Sequence, residues 1–153
     1  MSWYDISVPT SDPPLHALAE FRFLLRRFLH FSEEAANQAG LTPQQHQLLL
    51  QIAGAPAHTA VTIRYLASRL ALRHHTVVEL CSRCEEAGLV VRRTAPSDGR
   101  SVLIRMTAAG SRVLASLSAQ HTRELHELGP ALIKALRPFT AVTRPVAAIG
   151  TEP

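Results

Sequence analysis

The features that this sequence lacks exclude several classes of protein. No apolar run reaches the roughly 18 residues that a membrane-spanning helix needs, and the first residues lack the basic end and apolar core of a secretion signal. No low-complexity block is present, and apolar residues make up 46% of the chain, a composition typical of globular proteins. Two cysteines in 153 residues are too few for a secreted disulfide framework. We therefore expect one folded domain in the cytoplasm, without membrane contact.

The usual signatures of an enzyme are also missing. The sequence has no glycine-rich phosphate loop, no pair of carboxylates with a helper and no nucleophile beside a base. No second cysteine pair accompanies Cys81 and Cys84 to complete a zinc site. We therefore expect no enzymatic activity, no cofactor and no bound metal.

Positive charge, by contrast, is concentrated in one part of the chain. Lysine occurs once, so arginine supplies almost all of this charge. Residues 64–105 contain eight arginines against four acidic residues, whereas the rest of the chain carries eight basic and eight acidic residues. A surface that binds a polyanion would concentrate charge in this way. The alternative is that arginine is simply the surface cation of this protein.

Apolar spacing and capping residues predict a mainly α fold with one small β-hairpin. Helix starts are predicted at or just after the following residues: Leu15, Thr42, Thr62, His75 and Thr107. Two runs of β-branched residues flank the turn APSDGR and predict the hairpin. The helix after Thr107 is expected to break at Gly129 and Pro130, and a separate last helix would follow.

Two short helices followed at once by a basic hairpin form a winged helix-turn-helix arrangement. We expect an extended arm (1–12), a helical dimerisation region (13–39 with 108–138), a winged helix-turn-helix DNA-binding lobe (41–107) and a tail (139–153). The first long helix carries more phenylalanine than a small core can cover, so part of it is expected to pack against a second copy of the chain.

This order of motifs resembles the MarR family of bacterial transcription regulators over about residues 15–138. The segments that carry the resemblance are LTPQQHQLL, IRYLASRLAL, HHTVVELCSRCEEAGLVVRR and SDGRSVLIRMTAAG. The last resembles the family's Asp-x-Arg wing and the start of its next helix, with Met106 in place of leucine. Arg73 and Glu79 depart from the family pattern. The resemblance implies a homodimeric repressor of transcription that binds a pseudopalindromic operator in double-stranded DNA and is released by a small ligand.

In this reading, the second short helix is the recognition helix. Its candidate DNA contacts are His74, His75, Thr76, Val78, Glu79, Ser82 and Arg83. The first two turns of a helix in the major groove reach base edges, whereas Arg83, one turn further on, suits a phosphate contact. The alternative for the two histidines is that they are solvated turn residues.

The hairpin, or wing, supplies the other candidate contacts, which are Arg93, Asp98 and Arg100. Asp98 and Gly99 suit a tight turn, and Arg100 just beyond it suits a narrow minor groove. Asp98 would pair with an arginine and orient it. Because Arg92 and Arg93 alternate across a strand, at most one of them faces DNA, and the other faces solvent or an acidic neighbour.

Three further residues indicate a possible ligand pocket. His46 occupies an apolar-facing position of its predicted helix, and Arg26 and His30 lie on the first long helix, close to it in the implied fold. A small anionic or aromatic effector would fit between these helices. The alternative is a set of satisfied histidines beside a solvated arginine.

Cys81 and Cys84 form a C-x-x-C pair within one predicted helix. Helical residues three apart have Cβ atoms about 5 to 6 Å apart, whereas a disulfide requires about 3.5 to 4.5 Å. Core packing, redox sensing and metal binding all remain open for the two thiols. For the whole protein, the alternatives to a ligand-released regulator are a winged-helix protein–protein interaction module, a thiol-based redox-sensing regulator and a thiol oxidoreductase.

Overall fold

The computed structural model of the protein describes residues 14–96 and 99–140. Its elements, in chain order, are α1 (Leu15–Gln38), α2 (Pro43–Ala53), α3 (Ile63–Leu70), α4 (His74–Glu86), β1 (Val90–Thr94), β2 (Val102–Met106) and α5 (Ala108–Thr140). This is the mainly α fold with a small hairpin that the sequence predicts. The predicted arm (1–12), and the predicted tail from residue 141 onward, lie outside the described residues.

The helix boundaries follow local capping chemistry. Thr42 Oγ1 accepts a hydrogen bond from the Gln45 backbone N–H at 3.2 Å, and Gln45 Oε1 accepts one from the Thr42 N–H at 2.9 Å, which completes a capping box before α2. Thr62 caps α3 by accepting from the Tyr65 N–H at 3.1 Å. Gly40, with φ of +78°, adopts the left-handed conformation just after α1. The predicted helix starts at Thr42 and Thr62 are confirmed.

The prediction that the last long helix breaks at Gly129 and Pro130 is wrong. α5 is continuous and contains both Pro130 and Pro138. A proline inside a helix removes one backbone hydrogen bond and crowds the preceding turn, but here the helix packs along α1 over that segment. The buried residues of this contact are Leu24, Leu128 and Ala135. Packing between the two helices therefore outweighs the local breaking signal, and α5 extends two residues into the predicted tail.

The main hydrophobic core lies in the lobe. It joins α2, α3, α4 and the hairpin to the end of α1 and the first half of α5. Its fully buried large side chains include Leu48, Leu49, Leu66, Val77, Ile104 and Leu117. A smaller apolar cluster lies between α1 and the second half of α5. Its buried residues are Leu24, Leu128 and Ala135, and Phe21, Phe28 and Leu132 pack against them.

The wing is anchored to the lobe at its base. β1 and β2 pair antiparallel, with Val90 opposite Met106. On the α3 side, the Ile104 N–H donates to the Val61 carbonyl at 2.8 Å, next to a β-bridge between Thr62 and Leu103. These contacts connect β2 to the segment that precedes α3.

Candidate nucleic-acid interface

α4 separates its residues sharply between core and solvent. The buried side chains are Val77, Leu80, Cys81 and Cys84. The exposed ones include His74, His75, Glu79 and Arg83, whereas Thr76, Val78 and Ser82 are half-buried. Arg73, the residue before the helix, makes no side-chain hydrogen bond to its first turn, because its side chain has no oxygen to accept one. The helix therefore presents a polar surface that carries four of the seven predicted recognition residues.

Two of the half-buried residues face the wing. The Ser82 hydroxyl donates to the Val78 carbonyl at 3.0 Å and accepts from Arg92 Nη2 at 2.9 Å. Arg92 Nη2 also donates to the Val78 carbonyl at 3.2 Å. In the described structure, Val78 and Ser82 therefore form the part of α4 that hydrogen-bonds to the hairpin. Base contacts by these two residues remain predictions.

The side chains of Arg92 and Arg93 have different surroundings, as the alternation of side chains along a strand predicts. Arg92 forms an ion pair with Glu85, with Nη1 3.3 Å from Oε1, and its backbone N–H donates to Glu85 Oε2 at 3.0 Å. Arg93 is exposed on the other side of β1. Every arginine between residues 64 and 105 except Arg92 is exposed, so the local charge excess lies on the surface.

A groove of about 390 Å³ brings the wing, α3 and α4 together. It is lined by Thr62, Ile63, Arg64, His74, Arg100, Ser101 and Val102. Gly99, with φ of +64°, makes the left-handed turn just before Arg100, whereas Asp98 lies outside the described residues. Arg64 is absent from the sequence-based candidates, although it belongs to the arginine-rich segment and directly follows the first residue of α3. The groove therefore holds two arginines and the first histidine of α4.

Both thiols of the C-x-x-C pair are in the core. Cys81 and Cys84 are fully buried, and burial raises the pKa of each thiol to about 11. The nearby Arg92 guanidinium opposes this rise at Cys81 without cancelling it. Because the thiolate is the reactive form, neither cysteine is activated. Within residues 14–96 and 99–140, no three His, Cys, Asp or Glu side chains are grouped to hold a metal ion.

His46 lines a cavity of about 310 Å³ between α1, α2 and α5. The residue is 2% exposed, and its Nδ1 has no hydrogen-bond partner in the described structure. Burial lowers the pKa of His46, and the neighbouring His121, whose ring centroid is 4.8 Å away, lowers it further. The other lining residues are Phe28, Leu29, Ser32, Gln47, Leu50, Ser118, His121, Thr122 and Leu125.

His121 connects α5 to α1 at this cavity. Its Nδ1 lies 2.7 Å from the Leu117 carbonyl oxygen, and its Nε2 lies 2.8 Å from the Ser32 hydroxyl. A carbonyl oxygen only accepts, so Nδ1 carries a hydrogen, and in the neutral ring Nε2 accepts from Ser32. The sequence-based candidates did not include His121. The recurrence of buried positions at Leu114, Leu117 and Leu128 along α5 places position 121 on the same side of the helix, and this is the signal that would have indicated it.

The structure does not bring the three predicted ligand residues together. Arg26 and His30 line a separate groove of about 590 Å³ along the exposed face of α1, with Phe23 and Leu29 among its apolar neighbours. His30 lies 3.5 Å from the Glu34 carboxylate on the same helix. Ligand binding by Arg26, His30 or His46 stays a prediction.

Comparisons with known proteins agree with this arrangement. The model of the MarR family matches residues 39–101, which contain most of the lobe. The chain is 29% identical over 123 residues to the proposed transcriptional regulatory protein for the hcr operon of Thauera aromatica, a match that covers 77% of this chain and 72% of that protein.

Solved structures share the fold. AbsC of Streptomyces coelicolor, a MarR family transcriptional regulator, is 21% identical with a TM-score of 0.65, covering 84% of this chain and 93% of that one. A point mutant of S. aureus MepR, solved with a bound oligodeoxyribonucleotide, is 18% identical with a TM-score of 0.62, covering 80% and 97% of the two chains. In the described part of this chain, no helix combines the length and apolar character needed to cross a membrane.

Proposed function

We propose that this chain, like the MarR family transcription regulators that it resembles, is a homodimeric repressor that binds a pseudopalindromic operator and is released by a small ligand. The observation that carries the proposal is the groove shared by Arg64, His74 and Arg100. It joins the start of α4 to the wing on one basic surface. A duplex carries phosphates along both edges of its grooves, so such a surface suits it.

In the proposed complex, α4 enters the major groove and the wing follows the adjacent minor groove. The exposed side chains of His74, His75 and Glu79 are candidates for base edges, and Arg83 is a candidate for phosphate. Arg100 would enter the narrow groove, where the negative potential is enhanced. With two lobes related by twofold symmetry, the operator half-sites would be about one helical turn, roughly 10 base pairs, apart.

A dimer is supported by the apolar surface that the long helices leave exposed. On α1 the exposed side chains include Leu15, Leu18, Phe23 and Leu29, and on α5 they include Leu125, Ile133, Leu136 and Phe139. The number of large apolar side chains exposed on these two helices favours a contact with another protein chain. A second copy of the chain would cover it.

The effector proposal is supported by the cavity that His46 and His121 line. The unpartnered Nδ1 of His46 offers one hydrogen bond, and the apolar walls suit a ring. A small anionic or aromatic molecule is therefore the expected ligand class. Because the cavity lies where α1 and α5 meet the lobe, a ligand that prefers one lobe orientation would shift the distance between two recognition helices.

DNA binding is tested by selecting bound sequences from random duplex DNA, followed by titration at several salt concentrations. We expect an enriched pseudopalindrome and an affinity that falls steeply with salt, because phosphate contacts release counterions. Absence of DNA binding at any salt concentration would contradict the proposal and favour a winged-helix protein–protein interaction module.

The contribution of the wing is tested by Arg100→Ala, which should weaken operator binding by about 1 to 3 kcal/mol. Arg100→Lys keeps the charge but loses the planar fork, so it should recover part of this loss. Thermal stability should hardly change, since the residue is exposed at a hairpin tip. If both variants bound operator and random DNA as the parent does, the wing would have no role in binding.

A further inference from the structure

Arg92 links the wing to the recognition helix through one continuous set of hydrogen bonds. Its side chain donates to the Val78 carbonyl, the Ser82 hydroxyl and the Glu85 carboxylate. These acceptors are spaced four and three positions apart, so they form one stripe along two turns of α4. The Glu85 carboxylate also accepts the Arg92 backbone N–H, which fixes the strand itself against the helix.

The chemistry of this contact requires arginine. A guanidinium presents five N–H donors in a rigid plane, so it can donate to three acceptors spread along a helix at once. A lysine ammonium in the same place has one nitrogen and cannot span them. The side chain is about two-thirds buried in this contact, with 33% of its surface exposed. Its hydrogen-bonding groups are therefore directed at α4 in the described structure.

The two strands of the wing are held by different parts of the lobe. β2 is connected beside α3 through the Ile104 to Val61 hydrogen bond and the Thr62 to Leu103 bridge. β1 is connected to α4 through Arg92. Loss of the Arg92 side chain would leave the hairpin paired and anchored beside α3, but its angle to α4 would be less restricted.

We propose that Arg92 is a positioning residue for DNA binding, which sets the angle between wing and recognition helix so that both enter their grooves together. The inference rests on the proposed DNA-binding function and extends it to a residue that does not touch DNA. Since a prearranged surface binds more tightly than one that must be ordered on contact, loss of Arg92 weakens binding without removing a phosphate contact.

The adjacent arginine offers a matched control. Arg92→Gln and Arg93→Gln each remove one positive charge from β1, but only the first removes the guanidinium that hydrogen-bonds to α4. Binding of both variants to a selected operator duplex would be measured by fluorescence anisotropy at several salt concentrations. Arg92→Gln should weaken binding about tenfold and leave the slope of log affinity against log salt unchanged. Arg93→Gln should make that negative slope shallower by about 0.9, the value for one phosphate contact.

A double-mutant cycle separates positioning from general destabilisation. If Arg92 orients the wing, Arg100→Ala should lose less affinity in the Arg92→Gln background than in the parent, because Arg100 is already misplaced there. Melting curves would verify that each variant is folded. Should Arg92→Gln fail to fold, Glu85→Ala removes the ion-pair partner of Arg92 at a residue outside the predicted DNA contacts. It should weaken binding, although loss of a negative charge would by itself strengthen attraction to DNA.

Three results would overturn the inference. The first is a folded Arg92→Gln variant that binds operator as the parent does. The second is a negative salt slope that becomes shallower by about 0.9 in Arg92→Gln, which would make Arg92 a direct phosphate contact. The third is additive losses for Arg92→Gln and Arg100→Ala. A parent protein that binds no DNA would instead overturn the proposed function, and this inference with it.

Discussion

The lobe and the long helices differ in how completely each buries its own apolar side chains. The lobe closes a core around residues such as Leu48, Leu66 and Ile104, which are almost inaccessible to solvent. The contact between α1 and the second half of α5 buries only three residues among those described, and it leaves large side chains such as Phe23 and Ile133 exposed at 54% and 62%. The main core therefore buries its large apolar side chains, whereas the helical region leaves several of its large apolar side chains exposed to solvent.

Disrupting the helical region should have the largest effect. Ile133→Asp would place a charge on the exposed apolar face of α5, and burial of an unpaired charge between two chains costs on the order of several kcal/mol. We expect this variant to sediment as a monomer while the parent sediments as a dimer at micromolar concentration. Ala131→Asp is the matched control, since it lies two residues away on the opposite side of the helix. A monomeric parent, or a dimeric Ile133→Asp variant, would contradict the idea that a second copy of the chain covers the apolar side chains of the helical region.

The junction between the two regions should be the next most sensitive place. Gly110 lies in the first turn of α5, where an added Cβ would overlap the Leu89 carbonyl oxygen. Gly110→Ala should therefore lower the free energy of unfolding by about 1 to 3 kcal/mol, as measured by urea denaturation.

Gly129 provides the control for that experiment. It lies in the same helix, and no heavy atom of the described chain lies within 4 Å of a Cβ added there. Gly129→Ala should raise helix stability by up to about 1 kcal/mol. Equal losses in the two variants would show that the close approach to Leu89 does not determine the cost.

Within the lobe, the buried thiols test how closely the core is packed. Cys84→Ser should destabilise the fold by about 1 to 3 kcal/mol, because its hydroxyl would be buried without a partner, whereas Cys84→Ala should be milder. With its pKa raised to about 11, the thiol is protonated at neutral pH, so peroxide should not release DNA from the parent. Release from the parent but not from Cys84→Ala would instead indicate a redox sensor.

The smallest effect on stability is expected at the cavity that contains His46, which is lined by both the lobe and the long helices. Burial and His121 lower the pKa of His46 below its usual 6.5. The unfolded chain therefore binds this proton at a higher pH than the folded chain, so stability should fall as the pH drops below about 6.5. Melting temperatures between pH 7.5 and 5.5 should show this fall in the parent and a weaker one in His46→Leu. His30→Leu, at an exposed site, should behave as the parent does.

Features that depend on near neighbours in the sequence could be predicted from it. The caps at Thr42 and Thr62 depend on atoms three residues away, and the left-handed end of α1 depends on Gly40 itself. Strand alternation likewise predicted that Arg92 and Arg93 would face opposite ways. The winged helix-turn-helix order followed from these signals, because each is settled within a few residues of chain.

Other features depend on contacts between distant parts of the chain, and only the tertiary structure decided them. Packing on α1 keeps α5 helical through Pro130, and the position of α4 assigns Arg92 rather than Arg93 to Glu85. The hydrogen bond from Ser32 to His121 spans 89 positions, and it completes a cavity that includes His46 but not Arg26 or His30. The sequence by itself determined where the helices begin and where the hairpin lies. Packing decided which side chains come into contact, because contacts between distant residues depend on the relative placement of whole helices.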